Sequence, residues 1–457
     1  GSISVLASNG VTQNSGGNLT TVGTGSTGTI DVEAAANSIT MAADAEARTA
    51  GGNARYKANV DVTLGILDAR TNADRAGGTL TDQASGWGSV SVMAVTGQIV
   101  DAKSAVATGV NVYARGLRLA ASTRIGLDGA AANPLELEVA TVSAYAAGAS
   151  SSGINLLEST DVAVDAVAVS VNRVGSDMSA AVVAGTTDPA QSDLTTVANN
   201  GNIILRTLDG TITVNDGGSP AGGVGVSANG SGNIRLEAGQ TGATARDLAL
   251  NAAVQSFSGH LTLIAAHSVY QNIVSDTVKG DLFTNGTGTI DVEATAGSIV
   301  MSVTATALTL AQTVGHNIRY SAGDSVVLAR LDARDATNRG NGLLTDQASG
   351  WGDVGVTAGA TVATGSITDA KDAGDSAVNI YANNLRLSAA ANIGTLGAGT
   401  SNPIETEVAT IAARGAEGGI NLSDSTDVTV GTVGQVAVDR VAAVTGSVDA
   451  GATSTQQ

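Results

Sequence analysis

The chain of 457 residues holds 59 glycines, only 4 prolines and no cysteine, and just 2% of it is aromatic. That composition excludes disulfides, thiolate metal sites and cysteine nucleophiles, and it argues against a globular core built on large side chains. With 22 Lys and Arg against 41 Asp and Glu the net charge is −19, a balance that opposes binding to nucleic acid or insertion at an anionic membrane surface.

The chain opens on G-S-I-S-V-L-A from Gly1, whose alternation of apolar and polar residues predicts a strand buried on one face. T-G-T-I-D-V-E-A from Thr27 to Ala34 predicts another, with Asp31 and Glu33 on its outward side. Tyr56 is expected inward, as a rare large filler among small aliphatic residues. L-D-A-R from Leu67 to Arg70 shortly precedes L-T-D-Q-A-S-G-W-G from Leu80 to Gly88, the least bland stretch of the chain. There Trp87 either folds over the flank of the stack or offers a surface to a glycan or a neighbouring chain, with Asp82 and Gln83 as polar partners. An Asp–Arg contact inside L-D-A-R is expected to brace that loop.

D-A-K at Asp101 and an inward Tyr113 follow, and Pro134 is expected at a loop corner because proline cannot donate in a ladder. Glu136 and Glu138 read as outward carboxylates. N-I-I-L-R-T from Asn202 and G-N-I-R-L-E-A from Gly232 are further strands, separated by a turn at Asn215 to Gly218. In the second of these, Ile234, Leu236 and Ala238 point inward while Arg235 and Glu237 face water.

Most of this then recurs. T-G-T-I-D-V-E-A returns at Thr287, 260 positions on, and L-T-D-Q-A-S-G-W-G at Leu344, 264 positions on, with Asp346, Gln347 and Trp351 in the places of Asp82, Gln83 and Trp87. D-A-K returns at Asp369, N-P at Asn402-Pro403 and L-D-A-R at Leu331, while Tyr320 and Tyr381 match Tyr56 and Tyr113. A first long repeat therefore covers 1–258, and a second, incomplete one covers 259–457.

Strands of five to seven residues cannot bury their apolar faces alone. Stacking coil upon coil pairs each strand with an equivalent above and below, ~4.8 Å away, and merges the inward faces into one core. The fold class expected is all-β, a right-handed parallel β-helix (solenoid). At ~20–25 residues per coil it has roughly 18–23 coils. A tandem array of β-sandwiches is the structural rival, disfavoured by the uniform G-x-I-x-L-x-A runs and because no recurring core Trp is spaced like that of an immunoglobulin-type domain.

Little in the sequence suggests chemistry. His260, His267 and His316 show no metal spacing, and no H-E-x-x-H, G-x-S-x-G, P-loop or EF-hand occurs. No cofactor is expected, and calcium enters only as an adventitious ion at loop carboxylates. The pairs Asp31/Glu33, Asp291/Glu293 and Glu136/Glu138 lie ~6.5–7 Å apart on a strand, a spacing that also suits acid/base work on a glycosidic bond. They are read as solvated strand faces, because D-V-E occurs once in each long repeat and an enzyme builds one site rather than tiling it.

G-N-I-R-L-E-A, G-S-I-S-V-L-A and N-G-N-I-I-L-R-T-L-D-G-T-I-T-V resemble the repeats of filamentous-haemagglutinin-type adhesins and other giant repeat-rich bacterial surface proteins. The resemblance covers nearly the whole chain and implies export to the cell surface or extracellular space. It implies a β-helical shaft and a role in adhesion, biofilm or cell–cell contact. The expected function is thus a non-catalytic shaft or fibre that spaces or displays contacts. The alternatives are a carbohydrate-active β-helix enzyme, and a glycan-binding module using the Trp loops. Expected partners are further copies joined end to end through open strand edges, or a continuation in a longer chain, together with glycans or cell-surface components. Neither nucleic acid nor membrane insertion is expected.

Overall fold

A computed structural model describes residues 1–449 apart from 22–27, 78–84, 106–108, 149–152, 219–221, 242–245, 342–349 and 417. It divides into two compact units, Gly1–Asn229 with Val444–Gly446, and Gly230–Ala443 with Ser447–Gln457. Both are parallel β-helices.

In the first unit the leading face of each coil stacks in register, Ile3 on Ile30, then Ala54, Val90, Leu117 and Val142. Val142 then meets Val164, and Val164 meets Val214, while Ala144, two residues on from Val142, carries Leu194 and then Val226. A second face carries Val11–Gln13, Ile39–Met41, Val62–Leu64 and Ile99–Asp101. A third carries Leu19–Thr20, Glu46–Arg48 and Ile66–Asp68, and its next two levels run unbroken into the leading face as Val112–Ala121 and Leu135–Ala146.

The second unit repeats the plan, with Ile234, Leu261, Ile290, Ile318, Val354, Leu385 and Ile411 stacked on its leading face. Its long strands are Ile380–Ala389 and Ile404–Gly415. Among the described residues the leading faces show eight levels in each unit, Val430 on Ile411 being the last of the second, below the 18–23 coils expected. The coils are longer than the alternation suggested: Ile30 to Ala54 takes 24 residues, but Ala54 to Val90 takes 36. Two short helices account for part of the excess, Asn72–Gly77 and Ala336–Asn341.

The core is a column of small aliphatic side chains. Ile30, Val32 and Ala34 are sealed from solvent, as are Ile290, Val292 and Ala294. Alanine closes the inward row at level after level, at Ala34, Ala58, Ala94, Ala121 and Ala146. The glycines that precede several of these strands have an equally direct cause. A Cβ on Gly259 would stand 2.1 Å from the Gly232 carbonyl oxygen, and one on Gly288 would stand 1.9 Å from that of Gly259. Only a residue without a side chain lets successive corners approach this closely.

Tyr56 and Tyr320 are inward fillers as expected, fully buried, with hydroxyls donating to Gln13 Oε1 at 2.8 Å and Gln271 Oε1 at 2.7 Å. Tyr113 and Tyr381 are not. They stand on the outer side of the long strands, each roofed by an arginine. The other departure concerns water. Asp31, Asp291 and Arg235 were expected on solvated faces, yet all are buried, and so is Arg55. In each unit a segment leaves the stack and lies over the outer side of the leading face. In the first it is an antiparallel hairpin, Val167–Ser170 against Thr187–Gln191 and Arg173–Val174 against Ala180–Ala181. In the second it is the stretch from Val433 to Val441.

Tyr320 allows the core to be tested. Tyr320→Phe strands the Gln271 acceptor and lowers stability by ~1–3 kcal/mol. Tyr320→Ala also opens a cavity and lowers it by ~3–5 kcal/mol. Urea unfolding of the two variants should rank them in that order.

Candidate functional site

The Trp loop was the sequence's strongest candidate. Asp82, Gln83, Asp346 and Gln347 lie outside the described residues, but Trp87 and Trp351 can be placed. Their exposures are 5% and 4%, so neither indole face is open to a ligand. Trp87 Nε1 donates to Asp74 Oδ2 at 2.8 Å, and the same carboxylate accepts the Thr71 hydroxyl at 2.5 Å. Thr71 in turn accepts the Asp74 backbone N–H at 3.2 Å, which caps the short helix. In the second unit Asn338 takes the place of Asp74, and Trp351 sets its edge against Tyr381, with ring centroids 6.5 Å apart at 71°.

The brace expected inside L-D-A-R is present in both units. Arg70 binds Asp68 through Nε at 3.0 Å and Nη2 at 2.8 Å, and Arg334 binds Asp332 at 3.0 and 2.7 Å. Each guanidinium lies over a tyrosine ring, 3.7 Å from the centroid of Tyr113 and 3.6 Å from that of Tyr381. A second arginine from the short helix, which the sequence reading missed, completes the group. Arg75 reaches Asp68 at 2.7 Å and the Thr49 carbonyl at 2.7 Å; Arg339 reaches Asp332 at 3.1 Å and the Thr313 carbonyl at 2.6 Å. Burial pushes the Asp68 and Asp332 carboxyls up, but the paired arginines outweigh it and hold both below their usual range. The recurrence of Arg75 as Arg339, 264 positions on, was the available signal.

D-A-K and N-P meet in space. Asn111 Nδ2 donates to Asp101 and to the Gly65 carbonyl at 3.1 Å, while its Oδ1 accepts the Glu136 backbone N–H at 3.0 Å. Asn133 Nδ2 holds the Lys103 carbonyl at 2.9 Å, and Lys103 Nζ lies 3.9 Å from Asp101. Asn379, Asp369, Glu405, Asn402 and Lys371 rebuild this arrangement in the second unit, where Lys371 Nζ is also 3.3 Å from Glu405. Burial, reinforced by Asp101, raises the Glu136 carboxyl to about 7 and outweighs Lys103; burial also lowers the Lys103 ammonium. Glu136 is therefore not the solvated carboxylate expected, and Glu138 is fully buried, accepting the Thr160 hydroxyl at 3.0 Å.

The D-V-E carboxylates complete the set. Asp31 accepts Arg55 Nη1 at 2.9 Å and Arg173 Nε at 2.7 Å, while Glu33 accepts Arg173 Nη2 at 2.6 Å. Asp291 accepts Arg319 Nη1 and Arg440 Nε, both at 2.7 Å, and Glu293 accepts Arg440 Nη2 at 2.5 Å. Burial raises Glu33 and Glu293, but the arginine contacts prevail and both are held low. Asp31 and Asp291 are sealed from solvent, while Glu33 and Glu293 stay about a quarter exposed. Each pair neutralises two arginines, one from the stack and one from the overlying segment.

His260 sits beneath the overlying segment, 3.0 Å from the Thr289 hydroxyl and 3.6 Å from Asp439, while His267 pairs with Asp247 at 2.9 Å. Among the described residues no three acidic or histidine side chains converge as a metal site, and no helix is long and apolar enough to cross a membrane. A groove of about 540 Å³ runs beside the Trp loop of the first unit, past Ser85 and Gly86, with Arg115, Thr141, Asp161 and Thr213 along it. Among the described residues its lining is polar and includes no aromatic side chain. No known protein family, curated protein or solved structure matches the chain.

Two stability measurements follow. Asp332→Asn leaves Arg334 and Arg339 without their carboxylate and is expected to cost ~3–5 kcal/mol, read from the urea midpoint. Because Asp68 and Asp332 are held low, their contribution is complete above the ordinary carboxylate range and fades as the pH falls through their folded-state values. Glu136 acts in the opposite sense. Its ordinary value is 4.5 and its folded one about 7, so the folded chain keeps a proton there that the unfolded chain has lost. Its contribution to stability falls as the pH rises from 4.5 to about 7 and then levels off. Glu136→Gln should remove that slope from a plot of urea midpoint against pH.

Proposed function

We propose that the chain is a structural, non-catalytic segment of an exported bacterial surface or filament protein, whose β-helical units space or display contacts. One observation carries this reading. Each of the three charged constellations is built twice, and in each copy ionised groups are bound to the protein's own backbone, asparagines, arginines or lysine. A catalytic site needs acid and base groups open to a substrate. Here the Asp31/Glu33 and Asp291/Glu293 pairs, which would suit a lyase or hydrolase, lie under an overlying segment and are neutralised by arginine. Export follows from the resemblance to giant surface repeats, and the net charge of −19 suits a solvated extracellular polymer.

Glycan contact is the second reading, favoured by the polar groove beside Ser85 and Gly86, where Arg115 and Asp161 offer one cation and one carboxylate. The two readings have separate tests. Incubation with a panel of acidic and neutral polysaccharides is expected to release neither reducing ends nor unsaturated products. Turnover that disappears on Asp161→Asn or Glu136→Gln would overturn the structural reading. Binding on a glycan array that is lost on Arg115→Ala, with the melting temperature unchanged, would place glycan contact in the groove.

A further inference from the structure

The overlying segments are held by more than their arginines, and the rest of the contact is repeated just as closely. In the first unit the Thr29 hydroxyl accepts the Asn172 backbone N–H at 2.8 Å, the Ser4 hydroxyl accepts that of Val174 at 2.9 Å, and Asn53 Nδ2 donates to the Ser170 carbonyl at 2.9 Å. In the second unit Thr289 accepts Asp439 N–H at 2.9 Å, Thr262 accepts that of Val441 at 2.9 Å, and Asn317 Nδ2 donates to the Ala437 carbonyl at 2.7 Å. A small residue admits the segment in both. Gly116 faces Val167, and Gly355 faces Val436, each with its Cβ position 3.1 Å from the valine. The two segments share Val-Asn-Arg-Val (Val171 to Val174) and Val-Asp-Arg-Val (Val438 to Val441), 267 positions apart.

We propose that each outer face is a receptor for a Val-(Asn/Asp)-Arg-Val arm, and that a second copy of this chain can supply that arm in trans. Two features of the structure support exchange. First, donors and acceptors match between the two units, so an arm of either kind finds the same hydroxyls, amide and Asp/Glu pair on either face. Second, the first arm is an excursion from its coil. Val162–Val164 and Leu194–Thr196, on either side of it, are each paired into the stack, so residues between them can leave the face without removing a coil strand. An arm bound in cis and one bound in trans make the same contacts, and concentration and the link between arm and stack then decide which predominates. This inference stands on the arm geometry and holds whether or not the chain is exported.

The absence of native cysteine makes the test direct. One full-length chain carries Thr29→Cys and another Asn172→Cys, positions that meet in the cis arrangement. The two are mixed at high concentration, taken through a brief acid step that protonates Glu33 and loosens its bond to Arg173, returned to neutral pH and treated with a short bismaleimide. The expected product is a heterodimer in which peptide mapping joins residues 29 and 172. Adding Arg173→Ala to the second chain removes its bonds to both Asp31 and Glu33 and should cut the yield by about tenfold or more. The double variant Thr29→Cys/Asn172→Cys at high dilution should close within one chain and then yield no heterodimer. Closure in cis without any 29–172 heterodimer from the mixture would overturn exchange. Failure to close in cis would overturn the arm contact itself.

Discussion

In-register parallel stacking is the constraint on which everything else in this molecule depends. Each residue meets its own counterpart one coil away, so a side chain that suits one level must suit its neighbours above and below. Small aliphatic residues meet that condition indefinitely, which is why the inward columns are Ile, Val, Leu and Ala with few interruptions. Charged residues cannot, because like charges directly opposite each other on adjacent strands repel. The outward column of the first unit accordingly reads Ser4, Asp31, Arg55, Ser91, Arg118, Ser143. Its counterpart in the second unit reads Thr262, Asp291, Arg319, Gly355, Arg386. Opposite charges are adjacent, and the arginines are separated by a neutral residue.

The same rule explains why polar groups inside the stack come as complete sets. A lone Asp101 at an inward position would lose its hydration without compensation. Asn111 and Lys103 supply the missing partners, and each partner also bonds to corner carbonyls that would otherwise lack donors. The set is retained as a block in the second unit because losing any one member strands the others. Charge here fastens corners and overlying segments to the stack, the use expected of a protein whose aromatic content is too low to rely on large apolar contacts.

Much of the fold was legible from local pattern. The alternation in G-N-I-R-L-E-A predicted Ile234–Ala238 with its inward Ile, Leu and Ala, and the recurrence of equivalent runs predicted their stacking. The L-D-A-R brace and the inward Tyr56 and Tyr320 were also visible, since each depends on residues close in sequence or on strand parity. Coil length was not visible. Loops and the Asn72–Gly77 helix add residues that no alternation marks. Nor was the outward placement of Tyr113, which follows from the corner where Val112–Ala121 passes between two faces.

The amino-acid sequence by itself determined the parallel β-helix and the two long repeats, because both are written in short runs whose strand parity can be read without knowing what lies opposite. Only the tertiary structure decided which outward residues meet water. Asp31 finds Arg173 across 142 positions, and Asp291 finds Arg440 across 149. Strand parity says which side of a sheet a carboxylate occupies, but a distant stretch of chain lying over that side turns a solvated charge into a buried ion pair.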